Sequence, residues 1–206
     1  MKEILKKGKK AIVIVAHPDD ETIWMGGVIK KHQNIDWTIF SLCRASDPDR
    51  APKFRKVCLY FGAKSIISDL DDEHEIILES YKKEAKKIIF DFVGKKKYDY
   101  IFTHGENGEY GHEAHVAAHF AVQELAEQKL LKPEKVFYFN YKRKINKKDC
   151  FEITEKSDTD YKMKLSEKEF FQKKSVMTKI YGFDQDGIDA NLCTKIESFK
   201  IKQLDS

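Results

Sequence analysis

Ala11-Ile-Val-Ile-Val-Ala-His-Pro-Asp-Asp-Glu21 decides how the rest of this chain is read. Its first half, Ala11 to Val15, is an unbroken apolar run rich in β-branched side chains. That is the composition of a strand buried on both faces at the centre of a parallel sheet. Its second half leaves the strand with a histidine, a proline that restricts the turn and three acids in succession. In open α/β sheets the ligand site lies outside the carboxyl ends of the strands, so this first strand end is already a candidate site.

Working outward, strands and helices alternate. Thr22 to His32 follows as a helix, Trp37 to Cys43 as a strand, Asp49 to Phe61 as a helix stopped at Gly62, and Ser65 to Ser68 as a short strand. Ile76 to Val93 has the period of a long amphipathic helix ended by Gly94, and Tyr98 to Phe102 is the next strand. A loop with Gly105, Gly108 and Gly111 leads into a helix from about His112 to Lys129, and Val136 to Asn140 is a further strand. Beyond about residue 145 the pattern weakens to a short strand near Phe151 and a helix from Glu167 to Ile180. This order predicts an α/β fold, a Rossmann-like open, mostly parallel sheet with helices on both faces. No linker rich in Pro, Gly or Ser divides the 206 residues, so a single domain over 1–206 is expected, with a divergent C-terminal segment from about 145.

Three strand-end loops are therefore worth inspecting, those after Val15, Cys43 and Phe102. The first and third hold the densest clusters of His, Asp and Glu. In the first, Asp19 and Asp20 are adjacent, so they project in different directions and need not share a role. Helix capping accounts for one of them and for Glu21, but leaves His17 and the doubled carboxylate unexplained. In the third, His104 stands at the strand end, and His112, His115 and His119 fall at helical spacing on one stripe. A lone histidine on a helix is an ordinary packing residue; three beside a strand-end His-x-x-Asp point to a metal. His112-Glu-Ala-His115 has the wrong spacing for the His-Glu-x-x-His zinc protease motif, and the loop glycines match neither phosphate-binding pattern.

His17-Pro-Asp-Asp-Glu21 after a buried strand, with a distant His112-x-x-His115, resembles the PIG-L / LmbE-like zinc-dependent N-deacetylases over roughly residues 10 to 140. The resemblance implies a metal-dependent hydrolase of non-peptide C–N bonds that removes an N-acetyl group from an amino sugar, glycoside or similar small polar substrate. It implies zinc held by His17, Asp20 and His115, and Asp19 as the general base for a water activated by the metal. His112 matches a histidine that stabilises the charged intermediate, and Tyr110 a tyrosine placed at the substrate carbonyl. Arg50 falls where many members carry a substrate-contacting arginine. Lys53 stands where the family usually has glutamate, and Glu113-Ala114 where it often has Pro-Asp.

Other residues extend this picture. His104 and Asp47 are expected to contact substrate, and His119 to pack or to support the site. Asp71-Asp72-Glu73-His74 reads as an acidic helix start, and His32 as a surface residue. The net charge of +4 (38 Lys+Arg, 34 Asp+Glu) is gathered in Lys6 to Lys10, Lys95 to Lys97 and Lys142 to Lys148. These clusters lack interleaved aromatics and any recognition motif, so no nucleic-acid partner is expected; they would favour an anionic small substrate by steering. Cys43, Cys58, Cys150 and Cys193 are too dispersed for a cysteine zinc site or a disulfide scaffold, and Cys43 and Cys58 read as core. No apolar run is long enough for a membrane span or signal core, so a cytoplasmic location is expected, and a homo-oligomer is left open. The rival readings are a non-catalytic sugar-binding or regulatory protein on the same fold and another metal-dependent hydrolase. An intact set of His17, Asp19, Asp20, His112 and His115 speaks against the former.

Overall fold

A computed structural model describes residues 4–72, 74, 77–145 and 151–204. Glu73, Ile76, Lys147, Lys148 and Cys150, which entered the sequence reading, lie outside the described residues. The elements run β1 (Lys10–Val15), α1 (Asp20–Lys31), β2 (Asp36–Ser41), α2 (Arg50–Tyr60), β3 (Lys64–Ile67), α3 (Leu78–Val93), β4 (Tyr100–Thr103), α4 (Gly108–Gly111), α5 (Glu113–Glu127) and β5 (Lys135–Phe139). They continue with β6 (Tyr141–Ile145), β7 (Phe151–Glu155), β8 (Tyr161–Lys164), α6 (Glu167–Val176), a π-helical turn (Met177–Tyr181), α7 (Ile188–Leu192) and β9 (Ile196–Gln203).

The main sheet has seven strands in the order β3-β2-β1-β4-β5-β9-β8. The pairs from β3 to β5 are parallel, while β9 runs antiparallel to both β5 and β8. The expected Rossmann-like architecture is therefore observed. Strand β1 is the middle of the five parallel strands, and each of its faces feeds a separate core. Val13 and Val15 pack with Ile23, Trp24, Val28, Phe54 and Val57 of α1 and α2. Ile12 and Ile14 pack on the other face with Tyr81, Ala85, Ala117 and Ala121 of α3 and α5. All four strand residues are fully buried, which a continuous β-branched run tolerates and an alternating one would not.

The chain order reverses between β1 and β4, which lie side by side, β1 flanked by β2 on its other edge. The loops after β1 and after β4 thus leave the sheet next to each other and open the crevice in which such folds hold their ligands. The segment beyond residue 145 is part of this sheet, since it contributes β8 and β9.

A buried ion pair joins that segment to the site-bearing helix. Met25 departs from helical geometry (φ −149°, ψ 18°) and breaks α1 in two, which frees backbone N–H groups. The Glu197 carboxylate accepts those of Gly27 at 2.8 Å and Val28 at 2.6 Å, and Lys173 Nζ donates to it at 2.8 Å. A Cβ on Gly27 would stand 2.4 Å from the end of the Leu165 side chain and 3.1 Å from the Glu197 carboxylate, so a larger residue here would have to displace them. Lys173 and Glu197 are both buried, and removing one partner of a buried pair is the costly change. We expect Lys173→Met to lower stability by about 3 kcal/mol in urea denaturation; an unchanged midpoint would show that the backbone donors alone hold Glu197.

Candidate metal centre

The crevice collects residues from both loops. Asp20 opens α1 and is buried; its Oδ2 accepts the backbone N–H of His17 at 2.8 Å and its Oδ1 the indole N–H of Trp24 at 2.9 Å. Burial pushes the Asp20 carboxyl up, but the His115 and His104 rings outweigh it and hold the group well below its usual value. Four donor atoms from three residues then converge, each histidine facing a different oxygen of Asp20. His17 Nδ1 lies 3.4 Å from Asp20 Oδ2, His115 Nε2 lies 3.4 Å from Asp20 Oδ1, and the two ring nitrogens are 3.3 Å apart. A tetrahedron with bonds of about 2.1 Å from its centre has edges of about 3.4 Å, so the spacing fits a zinc-sized ion. Two imidazoles and a carboxylate are also the donor set of a catalytic rather than a structural zinc.

The neighbours of these atoms are specific. His115 Nδ1 is 2.7 Å from Glu109 Oε2, a residue the sequence reading did not single out. His17 Nε2 faces Asp72 Oδ2 at 3.6 Å, and Arg44 holds that same oxygen through Nε at 3.1 Å and Nη2 at 3.0 Å. Asp72 was read as part of an acidic helix start. It belongs instead to this crevice, because α3 begins only at Leu78 and Asp72 stands against His17 and Arg44. Cys43 is buried as expected; its thiol donates to the Ala16 carbonyl at 3.0 Å, and burial pushes its pKa up, so it stays a thiol.

Asp19 sits beside the converging atoms at the helix N-terminus, yet its side chain makes no cap hydrogen bond. Its backbone φ of 133° lies where L-residues are strained. Ordinary capping therefore does not account for it. Burial and the Asp20 and Glu21 charges raise its pKa well above the usual carboxylate range, against the pull of Arg50, whose Nη1 is 3.1 Å away. Phe183 stacks on that guanidinium at 4.4 Å.

The remaining expected site residues divide. His112 is not on the helix stripe but caps it in extended conformation, its ring stacked on His115 with centroids 4.5 Å apart. Burial and the neighbouring His115 and His17 rings push its pKa down to about 3, so it is neutral at ordinary pH. Tyr110 lines the crevice, and burial keeps its phenol protonated. Asp47 lines it too, but Oδ1 accepts the N–H groups of Asp49 and Arg50 at 2.8 Å each, which starts α2.

His104 is corrected. It has no exposed surface to offer a substrate; Nε2 accepts the Ala16 N–H at 3.0 Å and Nδ1 meets Glu109 at 2.9 Å. His119 turns away to the His104 carbonyl at 2.9 Å and packs on Tyr138. Asp189 and Leu192, from beyond residue 145, complete the lining. Five aspartates (Asp19, Asp20, Asp47, Asp72, Asp189) line the crevice with two arginines, Arg44 and Arg50. No lysine is among the residues that line the crevice.

The profile of the PIG-L family, described as GlcNAc-PI de-N-acetylase, matches residues 12–126. A 1D-myo-inositol 2-acetamido-2-deoxy-alpha-D-glucopyranoside deacetylase from Corynebacterium diphtheriae is 23% identical, covering 58% of this chain. The match spans about half of that relative's length, 53%. Among solved structures, the N,N'-diacetylchitobiose deacetylase of Pyrococcus horikoshii superposes with a TM-score of 0.61 at 15% identity, over 95% of this chain and 84% of the other. The 4-carboxy-2-hydroxymuconate hydratase GalB of Pseudomonas putida superposes with a TM-score of 0.58 at 15% identity, over 84% and 81%. These two establish the fold alone, and the hydratase shows that the fold carries more than one chemistry.

Glu21 offers a check on the packing behind Asp19. It is fully buried, accepts the Tyr181 hydroxyl at 2.9 Å, the Thr22 hydroxyl at 2.6 Å and the Asp19 N–H at 3.1 Å. Burial nonetheless raises its pKa from 4.5 to about 7. A raised folded-state pKa favours the fold below the unfolded value and loses that contribution as pH climbs through the folded one, here about 3 kcal/mol. We expect the metal-free protein to lose stability between about pH 4.5 and about pH 7, and Glu21→Gln to flatten that slope. A wild-type slope that survives in the variant would place the titration on another group.

Proposed function

The chain belongs to the PIG-L family, and from that premise we propose that it is a zinc-dependent N-deacetylase that removes an acetyl group from an amino sugar or glycoside. The observation that carries this reading is the convergence of His17 Nδ1, His115 Nε2 and the Asp20 carboxylate, the two nitrogens 3.3 Å apart and each 3.4 Å from one of the two Asp20 oxygens. These three would hold the ion. When bound, zinc supplies a Lewis acid that polarises an amide carbonyl and lowers the pKa of water.

Asp19 takes the proton of the attacking water on its carboxylate and returns it to the departing amine nitrogen. Its raised proton affinity suits a base, and Arg50 at 3.1 Å keeps the carboxylate turned into the crevice. Tyr110, as a phenol, and His112, as a neutral ring, donate hydrogen bonds to the carbonyl oxygen while it gains charge. The neutral state of His112 replaces the imidazolium that would otherwise act by charge. Losing one such donor costs about 3 kcal/mol of barrier. Asp47 and Arg44 at the crevice mouth are placed to meet sugar hydroxyls.

Released acetate from a panel of N-acetylated amino sugars, nucleotide sugars and glycosides tests the reading. Asp19→Asn should retain zinc and lose about 100- to 10,000-fold in turnover; full activity in that variant would remove Asp19 as the base. His115→Ala should lose zinc, measured as metal content per chain, and tight zinc in that variant would remove His115 as a ligand.

A further inference from the structure

We propose that Glu109 is the positioning residue of the metal centre: its carboxylate holds the His115 proton on Nδ1, so that Nε2 presents a lone pair to the ion, and its charge neutralises the buried centre. This rests on the zinc reading and adds a residue that never touches the ion.

Glu109 is fully buried in the short α4 turn between β4 and α5. Its Oε2 is 2.7 Å from His115 Nδ1 and 2.9 Å from His104 Nδ1, and its Oε1 accepts the Gly105 N–H at 2.7 Å. An ionised carboxylate only accepts, so both rings donate to it from Nδ1. For His104 a second contact requires the same proton position, because its Nε2 accepts the Ala16 N–H at 3.0 Å. His115 is then left with a bare Nε2, the atom 3.3 Å from His17 Nδ1 and 3.4 Å from Asp20 Oδ1. The two rings stack with centroids 3.9 Å apart, so one carboxylate orients both.

The backbone adds an independent observation. Glu109 has φ 57° and ψ −56°, a conformation that strains any side-chain-bearing residue and that glycine adopts freely. It follows Gly108 directly, yet the strained position carries a long acid whose carboxylate reaches three donors. Charge balance points the same way. A divalent ion with Asp20 alone would leave one net positive charge among fully buried groups; Glu109 cancels it, while Asp19 is matched by Arg50.

Two measurements on the full chain decide the matter. In the metal-free protein, ring nitrogen NMR should find His115 as the Nδ1–H tautomer, and Glu109→Gly, which also relieves the backbone, should shift it toward Nε2–H. In chelator competition with zinc alone, Glu109→Gly should bind about 10- to 100-fold more weakly. The isosteric Glu109→Gln, which keeps one acceptor but no charge, should fall between it and wild type. A wild-type His115 protonated on Nε2, or variants with wild-type zinc affinity, would overturn the assignment of Glu109. Wild-type protein that binds no zinc would instead overturn the functional reading beneath it, with the metal-free tautomer still deciding for or against Glu109.

Discussion

Two imidazole nitrogens and a carboxylate crowd together at the carboxyl end of a parallel sheet, the nitrogens 3.3 Å apart and each 3.4 Å from an Asp20 oxygen, and most of the surrounding structure serves that crowding. Donor atoms this close repel one another unless a cation or a proton lies between them. Each donor is accordingly fixed from behind. Asp20 is held by the His17 N–H and the Trp24 indole, His115 by Glu109, and His17 faces Asp72, itself clamped by Arg44. In the proposed centre this pre-arrangement is what makes the donors a site, since a ligand set that had to assemble on binding would lose affinity to the ordering of its side chains.

The sheet supplies the convergence. His17 and His115 are far apart in the chain, and only the adjacency of β1 and β4 at the order reversal brings their loops together. That adjacency in turn depends on the two-sided burial of β1. A run of β-branched residues at the centre of the sheet and a metal-binding geometry at its edge are thus two ends of one construction.

The segment beyond residue 145 is more than an appendage to this crevice. Tyr181 ties down Glu21, Phe183 covers Arg50, and Asp189 and Leu192 wall the opening. Its β8 and β9 extend the sheet, and its Lys173–Glu197 pair secures the broken helix that begins with Asp20. The family profile ends at residue 126. Most of the crevice lining, Arg44 and Asp47 included, falls inside that matched stretch, and Asp189 and Leu192 add a wall from beyond it.

By itself the sequence determined the strand–helix alternation, the parallel sheet and the two loops that meet, because β-branched runs, helical periods and strand-end clusters are local patterns. It also pointed to His17, Asp19, Asp20 and His115, through a doubled carboxylate behind a strand-end histidine and a second histidine cluster after a later strand. Tertiary structure alone decided which atoms face one another. It turned His104 from a substrate contact into a buried support, moved His112 off the helix stripe to its cap, and drew Asp72 out of a presumed helix start into the crevice. It also gave Glu109 a role that no spacing announces. The reason is physical: hydrogen-bond direction and burial belong to three-dimensional neighbours, and periodicity along a chain carries no record of them.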